Sequence, residues 1–467
     1  MPYTPWSEGP RGGTHREGVE IGAPSSTGRE GVELSRRVGR GALLFFVVGD
    51  ILGAGIYALT GAVGAEVGGA LWAPFLLAFV LAGLTATAYA ELVGKYPQAA
   101  GAALYANKAF GRPFVTFLVA FAVMMSGVTS AAAAARAFGG DYLASFVSVP
   151  TVLAALAFLA AVSLVNFVGI AQSVRVNVVL TVVEATGLLV IVAIGAWALL
   201  HGDGDPGRAL ELSGEGGALL GLLGGTALAF YALLGFEDSV NLAEETREPA
   251  RAFPRALFGG LAIAGALYLA VAFTSSMLVD SRTLAASSGP LLEVVEVAGL
   301  DFPPRLFALI ALLAVSNTAL MNLIMASRLV YGMAREGIVP GVLGRVHQRR
   351  RTPWVAIVVT VTVAAGLVTT GDLAGLADTA VLLLLLVFAV VNVAVLVLRR
   401  DPVEHEHFRA PTWAPALGAV ACLFLASPLT GRDLTTYVRA GLLLGIGVLL
   451  GGVNRLAVRR WSSVPPG

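Results

Sequence analysis

The chain has 467 residues, of which 57% are hydrophobic and only 13% are charged, and its mean hydropathy is +0.80. These values exclude an ordinary water-soluble domain and are typical of a protein with many membrane-spanning segments. The formal net charge of +1 gives no electrostatic reason to expect a nucleic-acid partner. A single cysteine excludes a disulfide framework and a thiolate metal site, and we expect neither a metal nor a cofactor.

The predicted elements begin with a polar tail at residues 1–40, which is rich in Gly, Arg and Glu and has no apolar core. We expect this tail to be disordered, and its composition does not fit a cleavable signal peptide. A membrane-spanning helix needs about 20 apolar residues. By this criterion the chain contains twelve candidate spans: 41–63, 70–94, 113–140, 149–170, 175–200, 217–241, 254–279, 303–333, 353–370, 375–398, 411–428 and 436–455.

The basic residues indicate how these spans are oriented. If both termini lie inside, the inner segments contain 24 of the 31 Lys and Arg residues and the outer segments contain six. The remaining one, Arg328, lies at the inner end of the eighth span. Because cytoplasmic loops of membrane proteins carry an excess of Lys and Arg, we expect both termini, including the final segment 456–467, to be cytoplasmic.

The first span is interrupted by Gly53-Ala54-Gly55 and by the acidic residue Asp50. Lipid offers no hydrogen-bond partners, so a helix break at membrane depth is tolerated only where it is buried in protein or lines a cavity. The backbone amides freed at the start of a half-helix form a site for an anion. The alternative is close packing of helices through small residues, for which glycine is also common.

The sixth span is interrupted in a similar way. Gly235 lies within it and is followed by two adjacent acids, Glu237 and Asp238. Interruptions in the first and sixth spans, five spans apart, fit two inverted five-helix repeats at residues 41–200 and 217–400, with a site between them and two further helices at 411–455. Phe230 and Tyr231 could close over a substrate there, or they could be ordinary packing residues.

Four stretches of the chain resemble the amino acid–polyamine–organocation superfamily of secondary transporters, close to its cationic amino acid transporter branch. The resemblance covers roughly residues 40–400 and is specific because the motifs occur in order and at family spacing. The four stretches are the glycine-rich run 49–57, the segment 89–105 with Tyr96-Pro97, the segment 235–256 with Glu244-Glu245-Thr246-Arg247-Glu248-Pro249, and the segment 326–353 with Ala326-Ser327-Arg328 and Arg351-Thr352-Pro353.

The resemblance implies the inverted-repeat fold of the sodium-coupled leucine transporter, an all-α membrane fold with ten core helices. It also implies an amino acid or amine substrate bound between helices 1, 3, 6 and 8. Freed amides at the helix 1 break would hold a carboxylate, and freed carbonyls would accept an ammonium group. The expected substrate-binding residues are Ile51, Gly53, Ala54, Gly55, Ile56, Phe230, Tyr231, Ala232, Leu233 and Gly235.

Two positions depart from the family pattern. Many relatives carry a lysine midway along helix 5, where sodium-coupled cousins bind an ion, and this chain has Glu184 instead. A carboxyl group at membrane depth is costly and is usually functional, and one that can be neutral when buried suits a proton carrier. The alternative is a glutamate that only bridges helices. Asp50 replaces a small or neutral polar residue and could face a cationic substrate or bond a neighbouring helix.

Helix 8 carries polar residues near mid-depth, among them Ser316, Asn317, Thr318 and Asn322. In sodium-coupled cousins of this fold, hydroxyl groups on helix 8 help to bind the ion. Ser316 and Thr318 could therefore bind a coupling cation together with Glu184, or they could hold helices together by hydrogen bonds.

These observations predict a secondary transporter for amino acids in the cytoplasmic membrane, working by alternating access and coupled to protons or to exchange. Its partners would be a small amino acid substrate, a coupling ion, expected to be a proton, and the lipid bilayer. An amine or polyamine exchanger and a substrate sensor that does not transport are the alternatives. An enzyme is not expected, because the sequence lacks Gly-x-Ser-Gly, His-Glu-x-x-His and Walker motifs, and its Gly-x-Gly-Asp match at residues 202–205 lies in a polar segment between two predicted spans.

Overall fold

A computed structural model describes residues 38–99, 101–169, 174–212, 217–298 and 302–462. Of the tail predicted at 1–40, residues 1–37 lie outside this part of the chain. So do residues 463–467 of the predicted C-terminal tail, whereas residues 456–462 continue the last helix.

The described residues form seventeen α-helices joined by short loops and 3-10 turns. They are α1 Arg40–Ile51, α2 Ala54–Val67, α3 Trp72–Lys95, α4 Gly101–Phe110, α5 Pro113–Phe138, α6 Asp141–Ala144, α7 Thr151–Val168, α8 Val174–His201, α9 Ala218–Ala232, α10 Pro249–Leu278, α11 Ser281–Ala286, α12 Pro290–Val297, α13 Pro304–Arg335, α14 Trp354–Thr370, α15 Leu373–Leu398, α16 Trp413–Ala426 and α17 Leu434–Ser462.

Within the described ranges, ten helical segments are long and apolar enough to cross a membrane. This count takes α1 with α2, α5 with α6, and α9 with the 3-10 helix Phe236–Glu245 as one segment each. The helices α14 and α16 are also apolar but shorter, and they lie where the ninth and eleventh spans are predicted. The protein is therefore an all-helical, multi-pass membrane protein.

Both spans that the sequence predicts to be interrupted are broken. The first span divides into α1 and α2, separated by Leu52 and Gly53. The sixth span divides where α9 ends at Ala232, and a 3-10 helix begins at Phe236. Gly235 has a φ of 118°, a backbone conformation that glycine adopts without steric cost and that other residues avoid.

Close helix packing surrounds the two breaks. The start of α2 lies against the end of α9 so tightly that a Cβ atom on Gly55 would be 2.7 Å from the Cβ of Ala232. Gly49 of α1 similarly lies against the side chain of Thr181 on α8. Without a hydrophobic driving force between helices in lipid, small residues of this kind allow the backbones to approach. They explain why two broken helices can sit together in the bundle core.

Candidate substrate site

A cavity lies between the two breaks, and its empty space is about 850 Å³ when the part open to solvent is included. It is lined by residues of α1, α2, α5, α9, the 3-10 helix, α13 and α15. From the breaks it extends toward the C-terminal end of α13, because its lining on that helix runs from Asn317 to Leu329. On the other side of the breaks α2 packs against α9, α11 and α12, and Gly61 lies against the backbone carbonyl of Leu284.

Most of the site residues predicted from the sequence meet at this cavity. The predicted site residues that lie outside its lining, all of them described by the structure, are Ile56, Phe230, Leu233, Ser316 and Glu184. The predicted residues that line it are Ile51, Gly53, Ala54, Gly55, Tyr231, Ala232, Gly235, Asp50 and Thr318.

The backbone groups freed at the helix 1 break have partners from other helices. The carbonyl of Ile51 accepts a hydrogen bond from the hydroxyl of Tyr268 on α10 at 2.7 Å. The amide of Ala54 donates to the hydroxyl of Thr318 on α13 at 2.8 Å. These bonds satisfy groups that lipid could not. They also mean that a substrate carboxylate would share the Ala54 amide with Thr318, while a second lone pair stays available on the Ile51 carbonyl.

Asp50, Glu237 and Asp238 give the cavity an acidic lining. One oxygen of Asp50 is buried without a hydrogen-bond partner. Glu237 accepts a hydrogen bond at 2.9 Å from the amide of Gly235, at the helix 6 break. The prediction of site residues did not include the two acids after this break. Their position directly after the glycine break was the sequence signal that could have placed them at the site.

The aromatic residues of α9 differ in their surroundings. Tyr231 lines the cavity, and its hydroxyl lies 2.8 Å from the hydroxyl of Ser130 on α5. Phe230 is fully buried and packs edge-on against Phe388 of α15, with ring centroids 6.1 Å apart. Ser130 and Ser126 on α5 also line the cavity, and sequence reasoning missed both. Serines inside an apolar, alanine-rich span were the available signal.

Glu184 is fully buried on α8, behind the cavity wall. One of its carboxyl oxygens accepts a hydrogen bond at 2.9 Å from the side-chain amide of Asn317, which does line the cavity. The other oxygen is buried without a hydrogen-bond partner, as is the hydroxyl of Thr181 one turn earlier. The backbone carbonyl of Glu184 accepts from the hydroxyl of Tyr57 on α2 at 2.6 Å.

The polar residues near the middle of α13, which is the eighth predicted span, divide into two groups. The hydroxyl of Ser316 donates to the carbonyl of Leu312 within its own helix at 2.6 Å. Asn317 and Thr318 instead bond other helices, α8 and α2. Thr318 also lies against Gly53, where an added Cβ atom would be 2.5 Å from its hydroxyl oxygen.

A buried ion pair lies away from the cavity, at the C-terminal ends of α3 and α15. Both carboxyl oxygens of Glu91 accept hydrogen bonds from Arg399, at 2.9 and 2.7 Å, and Glu91 is only 1% exposed. The amide of Ala410 donates to the same carboxylate at 2.9 Å. A charged residue near a membrane surface is therefore fully paired here, and the pair ties α3 to α15.

A bundle of membrane-length helices, two of them broken at a shared polar cavity, defines the class of membrane transporters with a central site. The amino acid permease family model matches residues 39–438, and the chain belongs to that family. The resemblance inferred from the four stretches of sequence is thereby confirmed. Because the family consists of permeases, the expectation that the protein is a transporter and not an enzyme is confirmed as well.

Individual relatives carry different names. The chain is 30% identical to an uncharacterized transporter of Mycobacterium tuberculosis, over 92% of this chain and 93% of that protein. It is 26% identical to the branched-chain amino acid permease BcaP of Bacillus subtilis, over 89% and 92% of the two chains. It is 29% identical to the vacuolar cationic amino acid transporter 4 of Arabidopsis thaliana, over 79% of this chain and 64% of that protein.

Proposed function

We propose that the protein is a secondary active transporter that moves amino acids across the cytoplasmic membrane by alternating access. In this proposal twelve helices cross the membrane, and both termini are cytoplasmic. Residues 41–200 and 217–400 are two inverted repeats, and residues 411–455 form two additional helices. The proposal is supported by the ten long and two shorter apolar helices and by the excess of basic residues in the inner segments.

One observation carries the proposal: the half-helices of spans 1 and 6 end at the same cavity. The first turn of α2 contains no acidic side chain, so its N-terminus favours a bound carboxylate. Carbonyls near Ile51 and Ala232, together with Asp50, offer acceptors to an ammonium group. An α-amino acid carries both groups at the spacing of one carbon atom. With the termini inside, the lining of the cavity on α13 extends toward the cytoplasmic side.

The acidic lining favours a positively charged substrate, which is the second candidate. Among the described residues that line the cavity there are three carboxyl groups and no Lys, Arg or His. A zwitterion brings no net charge to balance them, whereas a basic amino acid or a polyamine does. The names of the cationic amino acid transporters among the relatives agree with this candidate.

Coupling is proposed to involve Glu184. It is buried, its carboxyl group has only one hydrogen-bonded oxygen, and Asn317 connects that oxygen to the cavity wall. A carboxyl group in this setting can carry a proton between the two access states. Asp50 and Thr318 are the other candidates for coupling through a cation, while the hydroxyl of Ser316, among the described residues, bonds the carbonyl of Leu312 in its own helix.

The test is uptake by proteoliposomes across a panel of amino acids and amines, with pH and sodium gradients imposed separately. We expect saturable uptake that an inward proton gradient drives. In Glu184→Gln, accumulation driven by the gradient should be lost, while counterflow at equal concentrations persists. Glu296→Gln, which changes an exposed glutamate on α12, is the matched control and should behave as wild type. Full pH-driven accumulation by Glu184→Gln would exclude this residue from coupling.

The same experiment separates the alternatives. Uptake of amines without amino acids would identify an amine exchanger. Substrate binding without uptake or counterflow would identify a sensor. A requirement for sodium without a pH response would show that sodium, and not a proton, is the coupling ion.

A further inference from the structure

Two neighbouring residues of α13 make separate contacts, one with the helix 1 break and the other with Glu184. The hydroxyl of Thr318 accepts a hydrogen bond from the amide of Ala54, at the helix 1 break. The side-chain amide of Asn317 donates to the carboxyl group of Glu184 on α8. Both residues line the cavity, so a ligand in the cavity can reach either contact.

Thr318 acts as a helix cap supplied by another helix. The residue before α2 is Gly53, which has no side chain to accept a hydrogen bond from the first turn. The first amides of a helix need such acceptors, and hydroxyl oxygens are common ones. The Ala54 amide that Thr318 caps is also one of the amides proposed to bind the substrate carboxylate. A single N–H group cannot serve two acceptors at full strength.

We propose that the hydroxyl of Thr318 is a placeholder for the substrate carboxylate, and that its displacement connects substrate binding to Glu184. This inference rests on the proposed function. When a carboxylate takes the Ala54 amide, Thr318 loses its contact across the helix 1 break. Asn317 is the next residue on the same turn of α13, so its contact with Glu184 shifts with it.

The surroundings of Glu184 leave Asn317 as the route for this connection. Ionisable groups that interact with Glu184 come from three packed elements: Asp50 on α1, Tyr57 on α2 and Tyr268 on α10. Among the described residues, only Asn317 is hydrogen-bonded to its carboxyl group, because the second oxygen has no partner. Binding of substrate and of a proton are therefore linked through residues 317 and 318, and the linkage is reciprocal.

The first test measures ligand binding to the purified full chain for two pairs, L-lysine with cadaverine and L-leucine with isopentylamine. Each amine is its amino acid without the carboxylate. In Thr318→Val, or in Thr318→Ala as a second variant, the Ala54 amide loses its competitor. The amino acid that the wild type binds should then bind to the variant about 2-fold to 10-fold more tightly, which is the effect of one net hydrogen bond. Its amine should bind unchanged, and Thr318→Ser should resemble wild type.

Thr129→Val is the matched control, because the hydroxyl of this buried threonine donates only to the carbonyl of Met125 in its own helix. It should change neither affinity. Unchanged amino acid affinity in both Thr318 variants would overturn the inference, and so would an equal change for amino acid and amine. The pair tested is the one whose amino acid the wild type binds, and if the wild type binds no member of the panel of amino acids and amines, the proposed function itself is contradicted.

The second test measures the ratio of amino acid affinities at acidic and alkaline pH. In wild type this ratio should differ from one, and in Thr318→Val and Asn317→Ala it should approach one. The double variant should show no further loss, because both residues belong to one connection. A ratio that keeps its wild-type value in both single variants would contradict the connection. If the ratio nevertheless falls to one in Glu184→Gln, the proposed role of Glu184 in coupling still stands.

Discussion

The two helix breaks face one cavity but satisfy their backbone groups in different ways. At the helix 1 break, Ile51 and Ala54 are hydrogen-bonded by Tyr268 and Thr318, which are more than 200 residues away in the chain. At the helix 6 break, the amide of Gly235 is bonded by Glu237, only two residues later. The first break is therefore maintained by other helices, and the second is maintained by its own sequence.

This difference decides how each break should respond to substitution. The helix 6 break depends on the positive φ of Gly235, which a side chain opposes directly. The helix 1 break has an ordinary extended backbone at Gly53, with φ −135°, so a side chain there causes no backbone strain. We expect one residue to dominate the helix 6 break and several distant partners to share the helix 1 break.

The largest effect is expected for Gly235→Ala. The variant adds backbone strain of about 1–3 kcal/mol at φ 118°. Its Cβ atom would also collide with the backbone carbonyl of Asp50, across the cavity wall. We expect loss of uptake and a lower melting temperature of the purified protein, measured in detergent.

Gly111→Ala is the control for strain alone. Gly111 also has a positive φ, 58°, but no atom lies within 4 Å of an added Cβ atom. This variant should lose some stability and keep its uptake. If Gly235→Ala transports as well as Gly111→Ala, then the contact between the two breaks is not required for function.

The sequence predicted the helix breaks more readily than their partners. Glycines and acids within apolar spans are local signals, and they located both breaks, whereas Glu184 was singled out by its departure from the family pattern. The bond from Ala54 to Thr318 joins residues 264 positions apart, and no local pattern reports such a contact. Phe230 shows the same limit. Its neighbour Tyr231 faces the cavity, and only the packing of α15 explains why Phe230 does not.

Gly55→Ala should have the next largest effect. The sequence alone predicts that a branched residue such as valine at Gly55 blocks the approach of a substrate carboxylate, so that transport is lost while the protein folds normally. The structure adds a second reason, because the new Cβ atom would lie 2.7 Å from the Cβ of Ala232 and 2.9 Å from its backbone nitrogen. We therefore expect α2 and α9 to separate, so that uptake and melting temperature fall together.

Gly83→Ala on α3 is the matched control, since an added Cβ atom there meets nothing within 4 Å. Alanine is favoured over glycine in a helix by about 1 kcal/mol, so this variant should keep its uptake and its stability. A Gly55→Ala protein with normal melting temperature and no uptake would support the carboxylate explanation over packing.

The smallest effect is expected for Tyr268→Phe. This change removes the hydroxyl that bonds the freed carbonyl of Ile51, and the cost of the lost hydrogen bond is about 1 kcal/mol. Because Thr318 still holds the other side of the break, we expect uptake to fall only about 2-fold to 5-fold, in proportion to that energy. The measurement is the initial rate of uptake, with the melting temperature recorded for the same preparation.

Tyr142→Phe removes a similar bond outside the break, since the Tyr142 hydroxyl donates at 2.7 Å to the carbonyl of Tyr57 within α2. Both variants should lose comparable stability, because each deletes one buried hydrogen bond from a tyrosine hydroxyl to a backbone carbonyl. Only Tyr268→Phe should slow uptake, because only its carbonyl belongs to the cavity lining. Equal slowing by both variants would show that the freed carbonyl of Ile51 has no special role. The helix 1 break is maintained by distant partners and the helix 6 break is maintained locally. This difference would then affect the stability of the protein and not its rate of uptake.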